Sequence, residues 1–204
     1  MPPIKHFSDL DLNGSYTYAD YLTWQFTEWV ELIRGKVAKM SAPLDVHQQV
    51  ATNLTGLLYA YLRRRPCRLR AAPYDVRLTS RGPNATDDVV RTVVQPDLCV
   101  ICDRSKIDMR GCNGAPDWII EILSPGTASR DWKAKFDLYE ENGVGEYWIV
   151  APGEQNISVF VLDAATGRYQ TIGDYAAPGP VPSATLSELI IDWTDIFEDY
   201  PPVV

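Results

Sequence analysis

Six consecutive residues, Trp118-Ile119-Ile120-Glu121-Ile122-Leu123, place the strongest constraint on what this chain can fold into. A strand this apolar on both alternating faces must be covered on both sides, as in the sheet of a layered α/β protein. Downstream, Ser129 to about Asn142 reads as a helix, and Gly143 suits the left-handed position that follows a helix end. Glu146 to Val150 is the next strand. Strand, helix and strand at this spacing predict a right-handed βαβ crossover with a parallel pair.

The one charge in the apolar run carries the functional argument. Burying Glu121 is costly unless the carboxylate is paired, protonated or bound to a cation; a salt bridge at a strand edge is the ordinary alternative. Asp97 follows Pro96 at the start of Leu98-Cys99-Val100-Ile101-Cys102, another predicted strand. Proline at a strand entry costs no ladder bond, and Asp there is commonly turn chemistry. If the two strands are neighbours, both carboxylates reach one end of the sheet, and two such oxygens suit Mg²⁺. A second Pro-Asp, Pro116-Asp117, lies on the strand of Glu121 but about 13 Å from it at ~3.3 Å per residue, too far to share an ion. Glu31, in Trp29-Val30-Glu31-Leu32-Ile33, shares a strand face with Trp29 and Ile33 and is expected to point inward.

The helix adds a cation. At about 100° per residue, Lys135 falls in the apolar arc of Trp132, Phe136, Leu138 and Tyr139, whereas Lys133 falls on the polar side with Asp137 as its i+4 neighbour. Lys133 is therefore expected at the surface. Lys135 either snorkels outward or is held against the sheet that carries Glu121.

Elsewhere, Tyr16 to Trp24 reads as a short helix. Glu28 to Ile33 and Lys36 to Met40 read as a hairpin turning at Arg34-Gly35. A long helix is expected from Pro43-Leu44-Asp45 to about Arg64, with Asp45 as N-cap and Gln48 completing a capping box. Cys67 to Thr79 is a strand region broken near Pro73, followed by a polar loop at Ser80 to Asn84. Ile157 to Leu162 and Tyr169 to Ile172 form a hairpin around Ala165-Thr166-Gly167. A Pro/Gly loop at Ala176 to Pro182 leads to a docking segment, Leu186 to Phe197.

With 204 residues, 46% hydrophobic and 23% charged, the chain is expected to form one domain over 1–204. No apolar run approaches the ~20 residues of a membrane span, and the first residues lack a signal-peptide core, so a cytoplasmic location is expected. Cys99 and Cys102 point to opposite faces of one strand and cannot share a metal; with Cys67 and Cys112 they are expected to be buried or reduced. The net charge of −8 gives no support to nucleic-acid binding. The basic run Arg63-Arg64-Arg65, with Arg68 and Arg70, reads as a solvated helix end.

Asp97, Glu121 on a following strand and a helical Lys135 together resemble the PD-(D/E)XK nuclease superfamily. More closely, the chain resembles the Uma-two family of restriction endonucleases. The match runs through Glu31-Leu32-Ile33-Arg34-Gly35, Met40-Ser41-Ala42-Pro43 with His47, Pro96-Asp97 and Ala115 to Pro125. It continues through Arg130-Asp131 with Lys135 and Tyr139, then Gly143-Val144 and Glu146-Tyr147-Trp148. It covers about Tyr16 to Phe197. One departure is Leu123, where the superfamily pattern has lysine; in the family the lysine comes from the following helix, where Lys135 sits.

The resemblance implies a restriction-endonuclease-like α/β fold: a mixed central sheet flanked by helices, with extra N-terminal and C-terminal hairpins. It implies a metal-dependent endonuclease, a phosphodiester hydrolase acting on nucleic acid, with DNA the expected substrate. Asp97, Glu121, Lys135 and Glu31 are the implied catalytic residues. Asp97, Glu121, the main-chain carbonyl of Ile122 and Glu31 are the implied ligands of Mg²⁺ or Mn²⁺. His47 and Tyr139 are the implied substrate contacts. Nucleases of the superfamily often act as dimers, which makes a homodimer an expectation too. The competing reading is a catalytically inactive protein on the same fold that binds nucleic acid or a partner.

Overall fold

The computed structural model describes residues 4–79, 85–124 and 128–199, and for 128–132 the backbone only. The expected loop at Ser80 to Asn84, Pro125 of the family match, and the side chains of Arg130, Asp131 and Trp132 lie outside the described residues.

In chain order the elements are α1 (Tyr18–Tyr21), β1 (Val30–Ile33), β2 (Lys36–Lys39), α2 (Asp45–Leu62), β3 (Arg68–Ala71), β4 (Val76–Leu78), β5 (Thr92–Val94) and β6 (Leu98–Ile101). There follow β7 (Ile107–Asp108), β8 (Gly111–Asn113), β9 (Trp118–Ile122), α3 (Ala128–Glu141), β10 (Glu146–Ala151), β11 (Asn156–Asp163), β12 (Arg168–Tyr175), β13 (Pro180–Pro182), β14 (Ile190–Asp192) and α4 (Trp193–Ile196). Among the described residues no helix is long and apolar enough to cross a membrane.

The expectation of one central sheet needs correction. Among the described residues the strands form two mixed six-stranded sheets, β2-β1-β5-β4-β8-β7 and β12-β11-β10-β9-β6-β3, and a two-stranded ribbon, β13-β14. The chain divides into two compact units, 1–42 with 74–95 and 105–115, and 43–73 with 96–104 and 116–204. The N-terminal hairpin is not an appendage, because β1 also pairs with β5. The other strands of that sheet, β4, β5, β7 and β8, span only two or three residues each. Such strands are too short to show a period of two, which is why the sequence does not announce the second sheet.

Within the first unit, Arg34 and Gly35 both take positive φ, 49° and 82°, the geometry of a tight turn that matches strand twist. Arg77 on β4 is fully buried. Its Nη2 donates to Asp108 at 2.6 Å, its Nη1 lies 4.0 Å from Asp87, and its guanidinium sits 5.2 Å from the Tyr18 ring.

Within the second unit, α2 presents Val50, Leu54, Leu58 and Leu62, one residue per turn, to one face of the sheet. That face carries Leu98, Val100, Trp118, Ile120, Ile122, Trp148 and Val150, and the β13-β14 ribbon and α4 close the same core. The alternate residues point to the other face, where Tyr139 of α3 meets Tyr147 edge to face and Phe136 packs on the same ring at a tilt. Strands β9 and β10 are parallel, as the βαβ reading requires, with Ile120 opposite Trp148. Gly143 takes φ 80° just past α3. Glu146, fully buried at the start of β10, accepts from Trp148 Nε1, the Ser183 hydroxyl and the Ala184 and Thr185 amides, which fastens the 183–186 turn to the sheet.

Two further expectations are corrected here. Leu44, not Asp45, is the N-cap of α2, and it makes no side-chain cap bond. Cys67 and Cys102 are joined in a disulfide, while Cys99 and Cys112 are buried thiols. The expectation of reduced cysteines compared Cys102 with Cys99 along one strand. Its partner lies across the ladder instead, one step beyond the antiparallel Arg68–Ile101 pair.

The buried Arg77 supplies a pH test. Partial burial tends to raise the Asp108 pKa, but the hydrogen bonds from Arg77 and the Arg110 amide outweigh it and hold the carboxyl below its ordinary value. Asp108 therefore contributes stability that is present above about pH 4 and lost as the pH falls through its folded value. Asp108→Asn is expected to lower stability by about 1 kcal/mol at neutral pH, discounted because Asp108 is partly exposed. In urea titrations the gap from wild type should close towards about pH 3; a gap independent of pH would contradict the pairing.

Candidate active site

Strands β6 and β9 are antiparallel neighbours with Leu98 opposite Ile120. One step further along the ladder, Asp97 stands opposite Glu121, and cross-strand partners share a face. The link is direct: the Ile122 amide donates to Asp97 Oδ2 at 2.7 Å. Glu121 is buried and alternates with Ile120 and Ile122, so it projects to the face that α3 covers.

From α3, Lys135 Nζ reaches Glu121 Oε1 at 2.9 Å and the Tyr139 hydroxyl donates to the same oxygen at 2.5 Å. The two residues are one turn apart and act on one carboxylate. Lys133 is exposed and lies 3.5 Å from Asp137, its i+4 neighbour. The periodicity therefore separates the two lysines correctly. Tyr139 was expected to touch substrate; it is fully buried, and from there its hydroxyl orients Glu121.

His47 comes from the first turn of α2, on the stripe that continues as Val50 and Leu54. Its Nε2 lies 3.2 Å from Asp97 Oδ1, and its Nδ1 is buried without a hydrogen-bond partner among the described residues. Burial disfavours the imidazolium, but the hydrogen bond and charge of Asp97, the charge of Glu121 and the Ile122 main chain outweigh it, so the His47 pKa is raised. Two carboxylates are thus faced by an ammonium and by an imidazole inclined to hold its proton. This is how two acids can stand side by side at a largely buried sheet end.

Asp117, the rejected second Pro-Asp, accepts the Cys102 amide at 2.7 Å. The two aspartates therefore close opposite ends of the β6–β9 pair in the same way, each taking one strand-end amide. Asp97 differs in that its other oxygen meets His47. Glu31, on β1 in the first unit, is buried and accepts the Gln95 amide at 2.9 Å. Its face-mate Trp29 is 58% exposed, so the inward carboxylate does not follow from Trp29, and it meets the Gln95 amide instead.

Among the described residues no group of three or more His, Cys, Asp or Glu side chains is arranged to hold a metal ion. The second unit instead offers two carboxylates, hard oxygen donors suited to Mg²⁺ or Mn²⁺, which keep most of their waters. Each Asp97 oxygen accepts one protein hydrogen bond and retains a second lone pair. The donor set fits such an ion.

Fold and site together define a mixed α/β protein with an acid–lysine cluster at the junction of two neighbouring strands. A crystal structure described as "a putative nuclease belonging to DUF820", from Anabaena variabilis, has a similar fold: TM-score 0.70 at 21% identity, over 89% of this chain and 97% of that one. The Uma2 family profile, described as "Putative restriction endonuclease", matches residues 18–193, and the chain belongs to this family. No curated protein matches the sequence.

Because Lys135 is the ammonium bonded to a buried acid, its loss should be felt in stability. Lys135→Met is expected to cost about 3 kcal/mol in urea unfolding at neutral pH, and Lys135→Met combined with Glu121→Leu to recover most of it. An unchanged midpoint for Lys135→Met would show that the pair contributes nothing.

Proposed function

We propose that this chain is a metal-dependent endonuclease that hydrolyses phosphodiester bonds, with DNA as its substrate. The observation that carries the reading is that Lys135 bonds Glu121 while the amide of the next residue, Ile122, bonds Asp97, which stands opposite Glu121 across the β6–β9 ladder. Asp97, Glu121 and the Ile122 carbonyl would hold Mg²⁺ or Mn²⁺. Such an ion, when bound, supplies Lewis-acid polarisation of a phosphate and a more acidic water.

The chain's own groups have distinct tasks. Tyr139 and Lys135 fix the Glu121 carboxylate in one orientation. The Ile122 amide does the same for Asp97 and so links both acids to one peptide unit of β9. Lys135 places positive charge where a phosphoryl group builds negative charge during in-line displacement. His47 holds the second oxygen of Asp97 and, as an imidazolium, offers a second positive group to a phosphate beside that carboxylate. Glu31, which the resemblance implies as a further catalytic acid and ion ligand, stands on β1 of the first unit, where its Oε1 accepts the Gln95 amide.

One observation favours a second reading, a nucleic-acid-binding protein without turnover. The acids are already engaged by Lys135, Tyr139, His47 and an amide, which is what a cluster without an ion needs. Turnover separates the two readings. Cleavage of plasmid and linear DNA is expected with Mg²⁺ or Mn²⁺, to stop on chelation and to return when the ion is restored. Asp97→Ala, Glu121→Ala and Lys135→Ala should each lower it by about a hundredfold or more while the circular dichroism stays native. Undiminished cleavage by purified Glu121→Ala would overturn the assignment.

A further inference from the structure

The nuclease reading leaves the basic run Arg63-Arg64-Arg65 unused, and the fold brings other arginines to it. Helix α2 ends at Leu62, Arg63 leaves the helical region, and Arg64 turns the chain with φ 70°. The chain then passes into β3, an edge strand of the second unit's sheet, which pairs with β6. Arg68 Nη1 donates to the carbonyls of Arg65, Pro66 and Cys67 at 2.7, 3.3 and 3.0 Å. Arg104, some forty residues on in the sequence, places its Nε 3.3 Å from the same Pro66 carbonyl, and the Cys67–Cys102 disulfide ties the two segments together.

The ladder register gives this cluster a direction. Arg70 stands opposite Cys99 and Arg68 opposite Ile101. Cys99 and Ile101 alternate in step with Asp97, so Arg68 and Arg70 lie on the sheet face that carries Asp97 and Glu121. At the near end of the edge strand, the Ala72 amide donates to the Asp97 carbonyl at 3.0 Å. From there to Arg68 is four residues, about 13 Å at ~3.3 Å per residue, or about four base pairs of duplex at ~3.4 Å each.

We propose that Arg63, Arg64, Arg65, Arg68, Arg70 and Arg104 form a phosphate track, along which the backbone of a DNA duplex runs from the Asp97–Glu121 cluster over the β3 edge to the turn after α2. The proposal rests on the nuclease reading and extends it to the surface that holds the substrate. A helix end alone accounts for a cation or two near its carbonyls, not for Arg68 and Arg70 on the strand or for Arg104 beyond it. Acidic residues beside the track include, among the described residues, Asp103, next in sequence to Arg104, and Glu188, 3.2 Å from Arg65. Both Arg65 and Glu188 are exposed, and such a surface pair is weak enough for a phosphate to displace the carboxylate. Carbonyl bonds already hold the guanidinium groups of Arg68 and Arg104, so less freedom is lost when a phosphate binds. The track also answers the charge of −8: affinity for phosphate depends on the local cations that displace counterions, not on the sum over the chain.

The test is the salt dependence of binding to a short, labelled, mixed-sequence DNA duplex, followed by fluorescence anisotropy. The wild type is compared with Arg63→Gln/Arg64→Gln and with Arg63→Lys/Arg64→Lys. Arg63 and Arg64 are exposed, so their replacement leaves the fold intact; Arg70→Gln/Arg104→Gln is a second, independent pair. Each Gln pair is expected to weaken binding about tenfold at about 0.1 M salt and to make the slope of log K against log salt shallower by about two, while the Lys pair restores most of both. If wild type binds and both Gln pairs keep its slope, the track is overturned and the nuclease reading stands. If wild type shows no salt-dependent affinity for the duplex, both fall. If binding follows the expected slopes but no DNA is cut, the track stands without the catalysis.

Discussion

The whole account depends on one repulsion and the groups that offset it. Asp97 and Glu121 face each other across the β6–β9 ladder at a largely buried sheet end, where two negative charges repel strongly and are poorly hydrated. Four contacts make that arrangement tenable: Lys135 and Tyr139 on one carboxylate, His47 and the Ile122 amide on the other. The ammonium and the imidazole come from two helices on opposite faces of the same sheet, one for each carboxylate.

This explains why so much of the second unit is rigidly specified around a polar centre. The α2 stripe that begins with His47 continues as Val50, Leu54, Leu58 and Leu62, so the packing of that helix also aims the imidazole. The α3 turn that carries Lys135 carries Tyr139 as well, and the Tyr139 ring packs against Tyr147 of β10, so the parallel β9–β10 pairing helps set where the ammonium lies. The two Pro-Asp dipeptides show how a common structural device becomes a site. Both aspartates accept a strand-end amide. Asp97 also meets His47 and stands opposite a second acid, Glu121, which Lys135 bonds.

What was legible in the sequence follows from what local patterns encode. The apolar run around Glu121, the helix periodicity that separates Lys135 from Lys133, and Gly143 are all signals within a few residues, and each has its structural counterpart. Neighbourhood across the sheet is a different kind of information. That β6 pairs with both β9 and β3, that Cys67 therefore meets Cys102, and that strands of two or three residues build a second sheet, depends on contacts far apart in the chain. Glu31 turns inward although its face-mate Trp29 is exposed, and there its carboxylate accepts the Gln95 amide, a contact that strand alternation does not announce. The helix periodicity places Tyr139 on the same face as Lys135, but that its hydroxyl donates to Glu121 depends on the strand across from it.

The most direct test of the paired-acid centre is a calorimetric titration of Mn²⁺ into the metal-free protein, repeated with Asp97→Asn and Glu121→Gln. A saturable heat in the wild type that disappears in both variants is the predicted result, because neither carboxylate alone provides enough hard donors to hold the ion. No saturable heat in the wild type, or the same isotherm in all three proteins, would contradict it and leave a charge-balanced cluster with only a structural role.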